Sequence, residues 1–206
     1  MTITDIETQD RRFDLKAGAG GDAVHSQPQY AYAVCRLKTD KNHIGNGLTF
    51  TLGSGNELVC KAIAYLALRL KGKNIEQVMG EFADVFRQMS DDPGYRWLGP
   101  HKGITHLALA AITNACFDLW AKYHKVPLWK LLLDLSPEQT VNLLDLRYLE
   151  EVLTRQEVLD LLYREKPKRE RRKKILKHGY PGYDTSVGWF SYSEKKLVKN
   201  AKQAVD

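Results

Sequence analysis

The sequence predicts an α+β fold in which a three-stranded antiparallel sheet precedes a bundle of helices. The first observation is a set of short segments rich in β-branched and aromatic residues, at 3–9, 30–39 and 45–55, the last flanked by glycine turns. The second is a change of period at Asn56, beyond which apolar residues recur at helical spacing. Strands followed by helices are typical of the α+β class.

Three segments make up the helical part of the predicted domain. The first begins at Asn56, and the second, 74–90, can be capped by Asn74 and carries an apolar stripe. The third, 104–125, is apolar around most of its circumference, so we expect it to be buried on several sides until Pro127 ends or redirects it. Its small residues predict close approach of neighbouring helices; they are Ala108, Ala110, Ala111 and Ala115.

Composition indicates a soluble globular chain, with 43% hydrophobic and 27% charged residues among 206. No stretch approaches the roughly 18 apolar residues that span a bilayer. Residues 1–10 are neither a signal peptide nor an Arg-rich transit segment. We therefore expect a cytoplasmic protein that does not bind membranes.

Side chains that carry catalytic or metal chemistry in other proteins are scattered here. His101 and His106 lack the i, i+4 spacing that places two metal ligands on one helical face, and Asp118 is expected to be a hydrogen-bond acceptor of its helix. The cysteines show no C-x-x-C spacing, so we expect buried thiols; they are Cys35, Cys60 and Cys116.

Much of the net charge of +6 lies in one basic run, 164–174. Such a run could contact phosphates of a nucleic acid or serve as a nuclear address. The alternative is a solvated, highly charged helix after Pro167. We favour the helix and do not expect nucleic-acid binding, because no aromatic residues are interleaved to stack on bases.

A glycine-rich stretch, AGAGGDAVHSQPQY at 17–30, precedes the second predicted strand. A phosphate loop is excluded, because the G-x-x-x-x-G-K-[ST] pattern is absent and the glycines do not run from a strand directly into a helix. A mobile lid and a plain surface turn, with Tyr30 simply beginning the strand, both remain open from these residues.

Blocks of sequence along the whole chain carry a resemblance to a known family. They read GGDAVHSQPQY, GLTFTLGSGNE, RWLGPHKG, PLWKLL, RYLEEVLTRQE and GYPGYDTSVGWFSYSEKKLVK, and AITNACFDLWAKYHKVPLWKLL overlaps the fourth. The chain resembles the L-fuconate dehydratases of the enolase superfamily, in the mandelate racemase and muconate lactonizing branch. The resemblance implies an N-terminal capping domain at 1–135 and the first segment of an incomplete (β/α) barrel at 136–206.

The resemblance also implies a hydro-lyase that uses Mg²⁺ when complete. Its base, a Lys-x-Lys pair on a barrel strand, its three metal-binding acids and its histidine are expected beyond residue 206, so we expect no catalytic residue and no metal ligand in this chain. The adjacent lysines of EKKL, 194–197, lie in a predicted helix and are not that pair. By itself the chain is expected to be inactive.

For substrate binding the resemblance points to the glycine-rich stretch. It implies that this stretch is the first cap loop, that 49–55 is the second, and that the substrate is a sugar acid such as L-fuconate. The complete enzyme is expected to be a homo-oligomer. The other hypothesis is a non-catalytic truncated product or an interaction module that retains only the cap. The substrate-binding residues implied by the resemblance are Gly20, Gly21, Asp22 and Tyr30.

Overall fold

The predicted sheet is confirmed as three antiparallel strands in the order β1-β2-β3. β2 has the predicted bounds, whereas β1 continues four residues beyond its predicted end at residue 9, because Asp10 to Phe13 still pair with β2. The strands are β1 (Ile3–Phe13), β2 (Tyr30–Thr39) and β3 (Ile44–Thr51). The structure, a computed structural model, describes residues 1–16, 19–25, 28–98, 103–179, 182 and 186–205.

Nine helices are present in the described ranges. They are α1 (Asn56–Ala67), α2 (Ile75–Gly80), α3 (Phe82–Ser90), α4 (Gly103–His124), α5 (Leu128–Asp134), α6 (Pro137–Asn142), α7 (Arg155–Glu165), α8 (Arg169–Lys177) and α9 (Glu194–Val205). Short 3₁₀ turns lie at Leu68–Leu70, Pro93–Leu98, Lys166–Lys168 and Ser186–Gly188.

The central strand β2 separates two faces of the sheet by strict alternation. Ala31, Ala33, Cys35 and Leu37 are fully buried, while the residues between them are half-buried on the opposite face. Alternation of this kind is what a strand with one face on a core requires. The buried face packs on α1 and α4, so the core lies between the sheet and these two helices.

β3 packs on α4 without intervening side chains. A Cβ atom at Gly47 would lie 2.0 Å from the carbonyl oxygen of Ala111, and one at Gly45 would lie 2.3 Å from that of Ala115. The alanines of α4 were expected to pack against another helix. Ala111 and Ala115 pack against a strand instead. Both partners lack bulk here, so the strand backbone contacts the helix backbone directly.

The single helix predicted at 74–90 is wrong in one respect, because it is divided into α2 and α3 at Glu81. Gly80 ends α2, and Glu81 leaves helical geometry with φ −125° and ψ 32°. Glycine weakens a helix interior, and this permits the break. The predicted cap is confirmed: the Asn74 side chain accepts a hydrogen bond from the Glu76 amide at 2.9 Å.

Helix α4 is long and apolar enough to cross a membrane by length and composition, although the sequence was not expected to contain such a stretch. Of its most apolar stretch, 56% is buried in the protein. It therefore has the surroundings of a core helix, as expected for 104–125.

Beyond residue 136 the labelled elements are helices with strong local signals. Ser136 and Thr154 each begin a helix with a capping box, in which the hydroxyl accepts from the third helical amide and that residue's side chain accepts from the cap amide. The α+β class is confirmed. The boundary at 135, and the barrel segment expected after it, stay predictions.

Candidate functional site

The connection between β1 and β2, residues 14–29, contains the candidate site. Gly20 is buried, has a left-handed backbone (φ +71°), and packs against the aromatic ring of Tyr30. A Cβ atom there would lie 2.6 Å from Leu15 Cδ1 and 3.2 Å from the Tyr30 hydroxyl oxygen. The left-handed backbone favours glycine at this position, and a Cβ atom would also displace the Leu15 side chain. Residues 17, 18, 26 and 27 of the stretch lie outside the described residues.

Asp22 organises the exposed turn of this loop. Its Oδ1 atom accepts hydrogen bonds from the amides of Val24 at 2.8 Å and His25 at 2.6 Å, and its own amide donates to the His25 carbonyl oxygen. Nδ1 of the His25 ring lies 3.0 Å from the same carboxylate. These hydrogen bonds, that of the His25 amide first, lower the pKa of Asp22 from 3.8 to about 2. The carboxylate is therefore ionised at neutral pH and acts only as an acceptor.

Gly21 connects this loop to a distant part of the chain. Its carbonyl oxygen accepts a hydrogen bond from the backbone amide of Phe190 at 3.2 Å. Phe190 follows the 3₁₀ turn Ser186–Gly188, and its side chain is 80% exposed beside the buried backbone of Gly21. Sequence reasoning did not identify Phe190 as part of the site, because a backbone hydrogen bond over this sequence separation leaves no residue pattern.

Tyr30 joins the loop to the outer face of the sheet. Its ring meets Phe50 edge-on, with centroids 4.9 Å apart, and Phe50 also contacts Tyr32 at 5.6 Å. Phe50 is the second residue of the segment expected to form the second cap loop, 49–55. The structure thus brings Gly20, Tyr30 and the second segment together, while Asp22 is hydrogen-bonded within its own turn.

A polar network anchors the second segment to β1 and α1. Asn56 is fully buried. Its side-chain Nδ2 donates to Asp10 Oδ1 at 2.6 Å, and its Oδ1 accepts from the Thr51 hydroxyl at 2.8 Å. Arg12 donates to Asp10 and, at 2.8 Å, to Glu57. The Arg12 guanidinium first, and then Asn56, hold the pKa of Asp10 below its usual range. This network fixes the segment at its helical end.

The other residues considered as candidates from the sequence take part in hydrogen bonds or packing. Asp118 accepts from the Asn46 amide at 2.7 Å and from Lys122 Nζ at 2.6 Å, which confirms its expected role as an acceptor. All three cysteines are buried thiols, as expected, and burial raises the pKa of Cys35 to about 12. His106 lies in α4, and His101 lies outside the described residues.

Two Lys-x-Lys spacings occur within the chain, but neither lies on a strand. Lys71 and Lys73 flank a glycine turn after α1, and Lys166 and Lys168 lie in a 3₁₀ turn. The adjacent lysines of 194–197 lie in α9, the predicted helix. Among residues 1–16, 19–25, 28–98, 103–179, 182 and 186–205, no three His, Cys, Asp or Glu side chains come together in a group that could hold a metal ion.

The basic run forms the end of α7, a 3₁₀ turn and α8. Several of its cations are neutralised locally: Lys173 contacts Asp134 at 2.6 Å, and Arg172 contacts Glu165 at 3.0 Å. Arg169 donates to the carbonyl oxygens of Leu133 and Leu135 beside the end of α5. A charged helix after Pro167 was expected and is present. That nucleic acid is not a partner stays a prediction.

A cavity of about 370 Å³ lies between α3 and the segment 141–155, away from the glycine-rich loop. Its most central cation, Arg147, is paired with Asp91 and Asp145. The Arg147 guanidinium lowers the pKa of Asp145. Arg147 and its two carboxylate partners are thus engaged with one another.

Comparison with known proteins places this geometry in a family. The model for the mandelate racemase / muconate lactonizing enzyme N-terminal domain matches residues 20–132. Mitochondrial enolase superfamily member 1 of Homo sapiens is 41% identical over 98% of this chain and 47% of its own length. L-Galactonate dehydratase of Hypocrea jecorina is 38% identical over 100% of this chain and 46% of its own. The chain thus spans about half the length of the curated relatives it matches.

Solved structures show the same relationship. The crystal structure of the human protein matches with a TM-score of 0.89 and 39% identity, over 99% of this chain and 47% of that one. A racemase from Streptomyces coelicolor with bound magnesium shares the fold, with a TM-score of 0.56 and 24% identity, over 66% of this chain and 36% of that one. From the matched domain and these relatives, the chain belongs to the enolase superfamily and carries its mandelate racemase/muconate lactonizing enzyme N-terminal domain.

Proposed function

We propose that the chain is the substrate-covering part of an L-fuconate dehydratase-like enzyme, a hydro-lyase acting on a sugar acid. Such an enzyme removes the proton on the carbon beside the carboxylate, and the neighbouring hydroxyl leaves as water, which gives a 2-keto-3-deoxy acid. Membership of the enolase superfamily supports the reaction class. The name of the Hypocrea jecorina relative, L-galactonate dehydratase, supports a sugar acid as substrate.

The observation that carries the proposal is the geometry of the glycine-rich loop. Gly20 and Gly21 are buried, and Gly20 lies against the ring of Tyr30. Without side chains, their backbone suits close approach by a small polar ligand. We assign the hydroxyl of Tyr30 to a hydrogen bond with the substrate. We assign the ionised Asp22 carboxylate to accept from substrate hydroxyls through lone pairs that Val24 and His25 leave free.

The described residues do not fit a Mg²⁺ site, because no group of three acidic, histidine or cysteine side chains is present among them. In the proposed enzyme the cation would neutralise the charge that develops as the proton leaves, and other polypeptide would hold both the cation and the base. The contribution of this chain is to bind the sugar acid, orient it and exclude water.

The test joins residues 1–206 to the remainder of the human relative's chain and measures turnover of L-fuconate and L-galactonate. Tyr30→Phe removes one hydroxyl and keeps the ring on Phe50, and Asp22→Ala removes the carboxylate. Each should lower kcat/KM by about 10-fold to 100-fold, since a substrate hydroxyl would lose its partner in a closed site. Tyr148→Phe is the matched control, because Tyr148 is 76% exposed and lies outside the loop.

The loss should be selective for the contacted hydroxyl. A sugar acid without that hydroxyl should be turned over alike by the parent enzyme and the variant. Unchanged kinetics in both loop variants would refute the site. Turnover of L-fuconate by residues 1–206 alone would refute the assignment of the catalytic groups to other polypeptide, and absence of turnover in the joined enzyme would favour a non-catalytic module. Homo-oligomerisation and a cytoplasmic location stay predictions.

A further inference from the structure

The side chain of Gln29 lies where the ends of all three strands meet. It precedes β2, whose first residue, Tyr30, pairs with the last residue of β1, Phe13. On the other side Ala31 pairs with Thr51, the last residue of β3. Gln29 therefore stands at the foot of the glycine-rich loop and next to the turn that follows β3.

One hydrogen bond closes the foot of the loop. The Nε2 atom of Gln29 donates to Oδ1 of Asp14 at 2.9 Å, and Asp14 directly follows β1. This bond continues the ladder of β1 and β2 by one side-chain link beyond Phe13 and Tyr30. Asp14 and Gln29, at the two ends of the connection, are thus joined by a contact that the strands themselves do not supply.

The same side chain packs on the neighbouring turn. Gly53 is buried with φ +98°, and a Cβ atom there would lie 3.3 Å from Gln29 Oε1 and 3.4 Å from Gln29 Cβ. The Gly53 carbonyl oxygen accepts from the Asn56 amide at 3.2 Å, so Gly53 is part of the turn that begins α1. One side chain consequently bonds to Asp14, where the connection between β1 and β2 begins, and lies beside Gly53 of the second segment.

We propose that Gln29 is a positioning residue that couples the two loops, so that the conformation of residues 19–25 depends on the turn at 53–56. Only the purpose of this coupling rests on the proposed function: it would keep both covering segments correctly placed over a sugar acid. The coupling itself is a property of the 206-residue chain and needs neither substrate nor additional polypeptide.

Amide hydrogen exchange in the intact chain tests the coupling. Gln29→Ala removes the hydrogen bond to Asp14 and the Oε1 atom beside Gly53, and keeps only Cβ there. It should speed exchange of the His25 and Asn56 backbone amides by about threefold to 10-fold, as expected for loss of one hydrogen bond at an exposed site. Gln29→Met keeps the stem on Gly53 without the bond, so only the His25 amide should exchange faster.

The partner residue gives an independent arm. Asp14→Ala should loosen the His25 amide to the same extent as Gln29→Met, and adding Asp14→Ala to Gln29→Met should cause no further change, because both remove the same bond. Asp14→Asn retains an acceptor oxygen and should exchange like the parent. Gln29→Glu places two carboxylates together and should exceed Gln29→Ala at the His25 amide.

The matched control is Gln156→Ala, which breaks an equivalent 2.9 Å bond from a glutamine Nε2 to Asp160 in α7, far from both loops. It should leave the His25 and Asn56 amides unchanged. Unaltered exchange at Asn56 in Gln29→Ala would overturn the coupling, as would equal effects of Gln29→Ala and Gln156→Ala. These outcomes are independent of the turnover assay, so failure of the proposed function leaves the coupling intact.

Discussion

Residues 1–135 and 136–205 differ in how far their apolar side chains are buried. In the first region the sheet closes on α1 and α4, and side chains such as Leu37, Ile63 and Leu119 are completely buried. Beyond residue 136, Val141 and Val158 are buried in the described part of the chain, whereas Tyr148, Val152 and Phe190 are 76%, 77% and 80% exposed. Helices form in both regions, but only the first has two layers enclosing a core.

The comparison separates what builds a helix from what stabilises a domain. Capping boxes begin α6 and α7 without any need for a core. Contacts such as Glu165 with Lys168 at 2.6 Å and Asp134 with Lys173 are partly exposed ion pairs, each of which contributes little. We therefore expect the second region to open locally at low cost, while the first unfolds as a unit.

The largest effect is expected from Gly47→Ala, at the contact between β3 and α4. The new Cβ would lie 2.0 Å from the backbone oxygen of Ala111, so strand and helix must separate. Overpacking of this kind should cost about 3 kcal/mol of unfolding free energy, measured by urea denaturation. Gly80→Ala is the control, because nothing lies within 4 Å of its Cβ position. A loss as small as that of Gly80→Ala would show that the close approach is not required.

Removing a helix cap should have a smaller effect, which should differ between the two regions. Asn74→Ala and Thr154→Ala each remove a side-chain cap, from α2 and α7 respectively, and each should cost about 1 kcal/mol in its own helix. Only Asn74→Ala should lower the midpoint of global unfolding, because α2 packs in the core through Ile75 and Val78. Thr154→Ala should appear only as faster amide exchange within α7.

An equal shift of the global midpoint in the two cap variants would contradict the comparison. It would mean that α7 unfolds together with the sheet, despite its few buried residues. Ser136→Ala, at the cap of α6, extends the test to a helix next to the boundary and should behave like Thr154→Ala.

The parts of the fold that sequence predicts are those determined by local pattern. The β-branched and aromatic residues at 30–39 predicted β2 with correct bounds, and Asn74 was identified as a cap by residue type and position. The break at Glu81 was missed because the apolar stripe continues across it. Small residues on α4 indicated that another element packs closely on it, but their size does not determine whether that element is a helix or a strand.

In the candidate site, sequence reasoning and resemblance selected the loop but not its internal contacts. Asp22 was chosen as a ligand of the substrate, whereas the hydrogen bonds to its own turn depend on backbone geometry. The link between Gly21 and Phe190 is a backbone contact, for which side-chain identity carries no information. The contact of Gln29 with Gly53 requires the positive φ of that glycine, which appears only in three dimensions.

The smallest effect concerns the turn at 22–25, which belongs to the first region and in which the amides of Val24 and His25 donate to Asp22. The hydrogen bonds of the turn, that of the His25 amide first, lower the pKa of Asp22 to about 2, from its ordinary 3.8. A lowered pKa means that the turn is stabilised above about pH 4 and that this stabilisation disappears as the pH falls through about 2. NMR shifts of the Val24 and His25 amides, which donate to this carboxylate, should report a midpoint near 2. In Asp22→Asn, where residue 22 cannot titrate, the same amides should show no step. A midpoint near 3.8 in the parent chain would show that the turn is open in solution, and the loop would then join the second region in depending on a covering partner for its order.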